Sequence, residues 1–159
     1  MAFCGLLVAL AFLFGYIESL IPLSLGVPGV KPGIANVVTM VSLYLLGPGT
    51  AAFISVTRVV LTGFTFGNLS MMMYSMAGAL LSLAVMILLK KADILGMAGV
   101  SIAGGIAHNL GQLMVAAVVL KSPALFSYFP VLLIAGTLSG AAVGILGTLI
   151  VRRIAPLFS

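Results

Sequence analysis

The sequence predicts an all-α integral membrane protein, a bundle of six transmembrane helices with both termini cytoplasmic. Three observations carry this. Of 159 residues, 63% are hydrophobic and only 6% are charged, whereas a soluble domain carries about a quarter charged residues. Proline, glycine and charge cluster so as to leave six apolar stretches between them. Basic residues come in pairs, Lys90–Lys91 and Arg152–Arg153, each closing one of those stretches.

A span needs roughly 20 apolar residues. Cutting at the breakers gives spans over 2–21, 33–47, 49–66, 69–89, 96–120 and 127–151, all in one membrane domain covering 1–159. The first lacks a basic start and a small-residue cleavage site, so it reads as a retained span rather than a signal peptide. The stretch "IPLSLGVPGVKPG" (21–33) carries three prolines and three glycines and reads as a loop or broken helix. Together with "KPGIAN" it is expected to form a lid, since loops can move where packed helices cannot. The second and third spans are short and meet at "LGPGT", where Gly47, Pro48 and Gly49 make a tight turn. Loops at 65–68 and 121–128 separate the later spans.

Orientation follows from the basic pairs, which belong on the cytoplasmic side. Counting back in alternation puts the N-terminus inside as well, and loops 21–33, 65–68 and 121–128 outside. Lys31 and Lys121 in the outer loops oppose this only slightly.

Polar groups gather in stripes. At 100° per residue, and with His108 as origin, Ser101, Gln112, Gly105 and Asn109 fall within about 100° of one another. On the third span Ser55, Arg58, Thr62 and Thr65 share a face about 80° wide. Asn68 and Ser75 share a side of the fourth span, Asn36 and Thr39 lie in the outer half of the second, and Glu18 lies near the outer end of the first. An arginine at mid-span costs at least about 2.5–3.5 kcal/mol, so Arg58 must face the bundle interior. It is either the centre of a structural network with Glu18, Asn109 and Gln112, or the anchor of a cavity for a polar or anionic ligand. In the second case Arg58, Asn109 and Gln112 point into one outer-half cavity, with Asn36, Asn68 and His108 near it and Glu18 at its rim. For His108 by itself, a neutral imidazole bonded to a neighbouring helix is the plainer reading. The run "SMMMYSM" (70–76) reads first as packing.

Gly136, Gly140 and Gly144 recur at four-residue spacing, which lets another helix approach closely. Gly5 with Ala9, and Ala11 with Gly15, offer similar faces on the first span. Several chemistries are excluded. With one aspartate in the chain, no Asp-rich motif can hold magnesium against a diphosphate. No Gly-rich phosphate loop with lysine is present, and no acid is placed to complete a Ser–His triad. A lone cysteine and a lone histidine make no metal site, and the charge pattern suits membrane orientation rather than nucleic acid. No catalytic residue, metal or cofactor is expected, and the chain is expected not to be an enzyme.

The segments "GYIESLIP", "PGIANVVTMVSLYLLG", "RVVLTGFTFGN", "YSMAGALLSLAVMILLKK" and "GVSIAGGIAHNLGQLMVA" resemble the Gx transporter family, also called heptaprenyl diphosphate synthase component I. That family is similar to the substrate-binding S-components of energy-coupling factor (ECF) transporters. The resemblance implies six helices, an outward-facing ligand site and no ATPase of the chain's own. It further implies a multi-pass protein of the cell membrane, partnered by a membrane coupling subunit and a pair of ATPases. Gly5 and Ala9 fall where such proteins carry a small-residue docking motif, with Gly in place of the usual Ala. The ligand is then a small molecule: an anion, or a vitamin, flavin, quinone or isoprenoid precursor. The alternatives are a non-catalytic membrane component of a polyprenyl diphosphate synthase, and a structural scaffold.

Overall fold

The computed structural model describes residues 2–20 and 33–157. Its helices are α1 (Ala2–Leu20), α2 (Ile34–Leu45), α3 (Pro48–Phe66), α4 (Leu69–Ala92), α5 (Met97–Val119) and α6 (Phe129–Ile154). Short 3₁₀ helices at Pro123–Tyr128 and Ala155–Leu157 flank α6. The expected spans differ from these by a few residues at their ends. The turn expected over 65–68 shrinks to Gly67 and Asn68, because α3 continues to Phe66. The loop expected over 21–33, with Lys31, lies outside the described residues except for Gly33, whereas residues 34–36 of the expected lid are the start of α2.

Five helices are long and apolar enough to cross a membrane. The exception is α2, whose 12 residues reach only about 18 Å against a hydrocarbon core of about 30 Å. A helix that short is tolerated at membrane depth only when protein surrounds its ends. Accordingly α2 is the most enclosed element: Ala35 and every residue from Val37 to Leu43 are buried. At its C-terminal end the Leu46 amide bonds Ser42 O at 2.9 Å. The Lys90 ammonium donates to Leu43 O at 2.6 Å and sits 4.6 Å from the centre of the Tyr44 ring. Lys90 thus turns inward to cap α2, while Lys91 is exposed. Lys90→Ala is expected to lower stability by about 1–3 kcal/mol through the lost carbonyl bond and cation–π contact. Lys91→Ala should leave the melting temperature unchanged. Thermal unfolding of both variants in one detergent checks the pair.

Glycines set the remaining contacts. A Cβ on Gly140 would fall 2.7 Å from Ile102 Cα, one on Gly144 would fall 2.7 Å from Ala98 Cα, and one on Gly105 would strike Gly136 O. The four-residue glycine repeat of α6 therefore packs backbone to backbone on α5. Between α4 and α5 the same device works at Gly78 against His108 O and at Gly111 against Ala77 O. At Gly15 a Cβ would reach Thr62, so α1 lies close on α3. Short turns make α2/α3, α3/α4, α4/α5 and α5/α6 antiparallel neighbours. One end of the bundle then holds Lys90, Lys91, Arg152 and Arg153. The opposite end gathers the C-termini of α1, α3 and α5 with the N-termini of α2, α4 and α6.

Candidate functional site: a polar cavity around Arg58

A cavity of about 90 Å³ opens where the α1–α3 and α4–α6 triplets face each other. It lies in the half of the bundle away from the basic pairs. Arg58 is eight residues from the end of α3 and Gln112 seven from the end of α5, which places both about 10–12 Å below that end at 1.5 Å per residue. Glu18 and Asn36 sit within two residues of their helix ends, so the polar lining rises from mid-depth to the rim.

Arg58 is its centre. The residue is 8% exposed, its Nη2 donates to Asn36 Oδ1 at 3.1 Å, and its Nε is buried with no acceptor among the described residues. The two partners stand at one level because of the turn at Gly47, where φ is +91°. Asn36 lies 11 residues before it (47 − 36) and Arg58 lies 11 after (58 − 47). The three residues expected around Arg58, namely Glu18, Asn109 and Gln112, all line the same cavity, and the guanidinium donates its hydrogen bond to a fourth, Asn36.

The facing wall is α5. The Gln112 amide nitrogen lies 3.2 Å from His108 Nε2, and since that nitrogen only donates, the ring accepts there. The two residues are one turn apart, so the pair holds both side chains on the same face. His108 thus bonds Gln112 within its own helix and lines the cavity, and its ring also meets the backbone of Gly78 on the neighbouring α4, where a partner was expected. Asn109 reaches across to α6 and donates from Nδ2 to Leu132 O at 2.8 Å. Gly136 makes the room, since a Cβ there would sit 3.0 Å from that amide. Ser75 of α4 and Ser139 of α6 complete the polar lining. Beyond Asn36 a smaller space of about 20 Å³ continues between Ser82, Ser101 and Ser139, enough for one water-sized group.

Asn68 is not part of the cavity. It caps α4, its Oδ1 accepting from the Met71 amide at 2.8 Å at an exposed helix end, the usual task of an asparagine in that place. Thr65 is exposed too and bonds Leu61 O within its own helix. Of the methionine run, Met72 packs against Gly63. The sequence reading missed Ser139, although it lies three residues after Gly136 on the helix face whose glycines were recognised.

The sequence pattern that defines the heptaprenyl diphosphate synthase component I family matches residues 7–150. The chain belongs to this family. No curated protein and no solved structure matches it. This family member is a multi-pass, all-helical membrane protein. The matched region holds every described cavity residue, Gly15 through Ser139, and leaves out Gly5 near the start of α1.

Proposed function

We propose that the chain is the substrate-binding membrane component of an ECF-type importer. It forms one membrane domain over 1–159 in the cell membrane, with both termini cytoplasmic and the cavity opening outward. The observation that carries this reading is the cavity itself, a polar chamber around a buried arginine at the end opposite the basic pairs. Such a chamber suits capture of a small molecule from outside, and in this reading the chain acts as a binder and not an enzyme. Movement of the cargo falls to partners, a membrane coupling subunit and its ATPase pair. Gly5 and Ala9 are exposed on α1, nothing lies within 4 Å of a Cβ placed on Gly5, and Leu6, Leu10 and Leu13 flank them. That face is the docking surface in this reading, and the other exposed apolar faces meet lipid.

The family's own description favours a second reading, a non-catalytic membrane component of a polyprenyl diphosphate synthase. Affinity capture from native membranes separates the two. The importer reading expects a membrane coupling protein and two ATPases to be recovered. Recovery of a soluble prenyl synthase whose turnover the chain raises would replace it, and recovery of neither, with no bound small molecule, would leave a scaffold. For the topology, single cysteines at Lys121 and Lys91 in a Cys4→Ser background are expected to label from the outside and the cytoplasm respectively. The reverse pattern would invert the bundle.

A further inference from the structure

The short helix α2 begins inside the bundle. Its third residue, Asn36, stands level with Arg58, about 12 Å below the end of α3 at 1.5 Å per residue. A helix start presents backbone amides that the helix itself cannot use. In α2 the Asn36 amide bonds Gly33 O at 2.8 Å. The amides of Ile34 and Ala35 come before the hydrogen-bond ladder, and no side chain caps the helix. At membrane depth an amide without an acceptor costs several kcal/mol.

This end is also positive. Aligned peptide dipoles leave about half a unit charge at a helix N-terminus, and the first turn of α2 carries no acidic residue to answer it. Gly33, with φ at +74°, leads the chain into the helix with no side chain over the amides. A Cβ there would come within 3.3 Å of the Asn36 amide nitrogen.

A helix start alone does not make a site, and Arg58 supplies the second feature. It is buried, and it lines the same cavity as Gly33 and Asn36. Its Nη2 is held 3.1 Å from Asn36 Oδ1, on the first turn of α2, and its Nε finds no acceptor among the described residues. The Glu18 carboxylate acts on this guanidinium electrostatically, so part of the Arg58 charge is already answered. The helix dipole adds positive potential at the same spot, and the first-turn amides add donors aimed one way.

We propose that the N-terminus of α2 and Arg58 together form an oxyanion seat, in which a carboxylate or phosphate oxygen of the ligand accepts from the amides of Ile34 and Ala35 beside the guanidinium. Asn36 is the positioning residue, since its bond to Nη2 keeps Arg58 over the helix start. The inference rests on the reading of the cavity as a ligand site and adds which group of the ligand is held, and by what.

The test uses full-length protein purified from native membranes, native and Asn36→Asp. The variant keeps the shape of the side chain but sets a carboxylate beside both the helix start and Nη2, so the protein supplies its own occupant. Molecules released on denaturation are identified by mass spectrometry, and thermal unfolding is followed with acetate, inorganic phosphate and acetamide at one ionic strength. The native protein is expected to release a molecule bearing a carboxylate or phosphate, and to be stabilised by acetate or phosphate but not by acetamide. Asn36→Asp should fold at least as stably as the ligand-free native protein and retain at least about tenfold less ligand, because like charges brought together cost several kcal/mol. A variant that does not fold would overturn the seat, since a carboxylate would then be unwelcome between α2 and Arg58. A folded variant that retains its ligand as the native protein does would place the acid elsewhere and overturn it too. Release of an uncharged molecule, or stabilisation by acetamide equal to that by acetate, would overturn the oxyanion while leaving the binding role intact. Release of nothing, with no response to any probe, would overturn the binding role and this inference with it.

Discussion

Replacing Arg58 by alanine is expected to abolish ligand binding while leaving a folded, extractable protein. The argument weighs what the side chain gives to the fold against what it costs. The residue is 8% exposed, and its guanidinium makes one hydrogen bond among the described residues, to Asn36, and leaves Nε buried without an acceptor there. Desolvating such a group costs several kcal/mol. One charge-assisted bond returns only about 1.5–3 kcal/mol, so the fold loses little from that hydrogen bond when the residue is removed. The vacated space is polar and open to water, which can solvate Asn36 in its place. A ligand acid loses its only cation in the described lining. Removing one partner of a buried charged pair costs about 3 kcal/mol or more, roughly a hundredfold or more in Kd. Melting temperature and ligand retention measured on one preparation decide the matter. A melting temperature lowered by more than about 10 °C, beyond what one lost hydrogen bond gives, would make Arg58 a structural residue.

That distinction was not visible in the sequence, although much around it was. The helices were legible because breakers and apolar runs alternate cleanly, and in a membrane a stretch of sufficient length has little option but to be a helix. The gathering of Arg58, His108, Asn109 and Gln112 was legible from the 100° rule. What the 100° rule does not give is which polar side chains on a stripe spend their hydrogen bonds within their own helix. Thr62 bonds Arg58 O at 2.8 Å, Thr65 bonds Leu61 O and Ser42 bonds Val38 O, each one turn back along its own helix. Asn68 similarly serves its own helix end. The partner of Arg58 was recoverable, since distance from the Gly47 turn places Asn36 beside it. The same arithmetic works at the α5/α6 turn, where Gly105 faces Gly136 and Asn109 faces Leu132 at a constant sum of 241 (105 + 136, 109 + 132). That α2 is buried along most of its length needed the tertiary structure, because an apolar sequence does not say whether lipid or protein covers it.

The α5/α6 seam carries the other large effect. Gly140→Leu is expected to prevent the bundle from closing, so that the variant is degraded or recovered only as aggregate. A Cβ at this position would lie 2.7 Å from Ile102 Cα and 2.7 Å from Ser101 O. Both are backbone atoms and cannot rotate aside as a side-chain tip would. In lipid no hydrophobic force drives helices together, so close packing is a main source of their association, and a gap at this seam removes contacts along its length. Gly140→Ala, which adds only the Cβ, should cost about 1–3 kcal/mol as an overpacked core position does. Gly5→Ala is the matched control: nothing lies within 4 Å of its Cβ, and alanine is the better helix former, so its melting temperature should hold or rise. The consequences extend to the site, because Gly136 and Gly140 belong to one face and Asn109 reaches Leu132 only while α5 and α6 stay in register. Gly140→Ala should therefore weaken ligand retention as well as stability, whereas Gly5→Ala should leave retention untouched. Size-exclusion profiles, melting temperatures and ligand retention across the three variants test this directly. A Gly140→Leu protein that remains monodisperse and as stable as the parent would mean that α5 and α6 do not pack through their glycines.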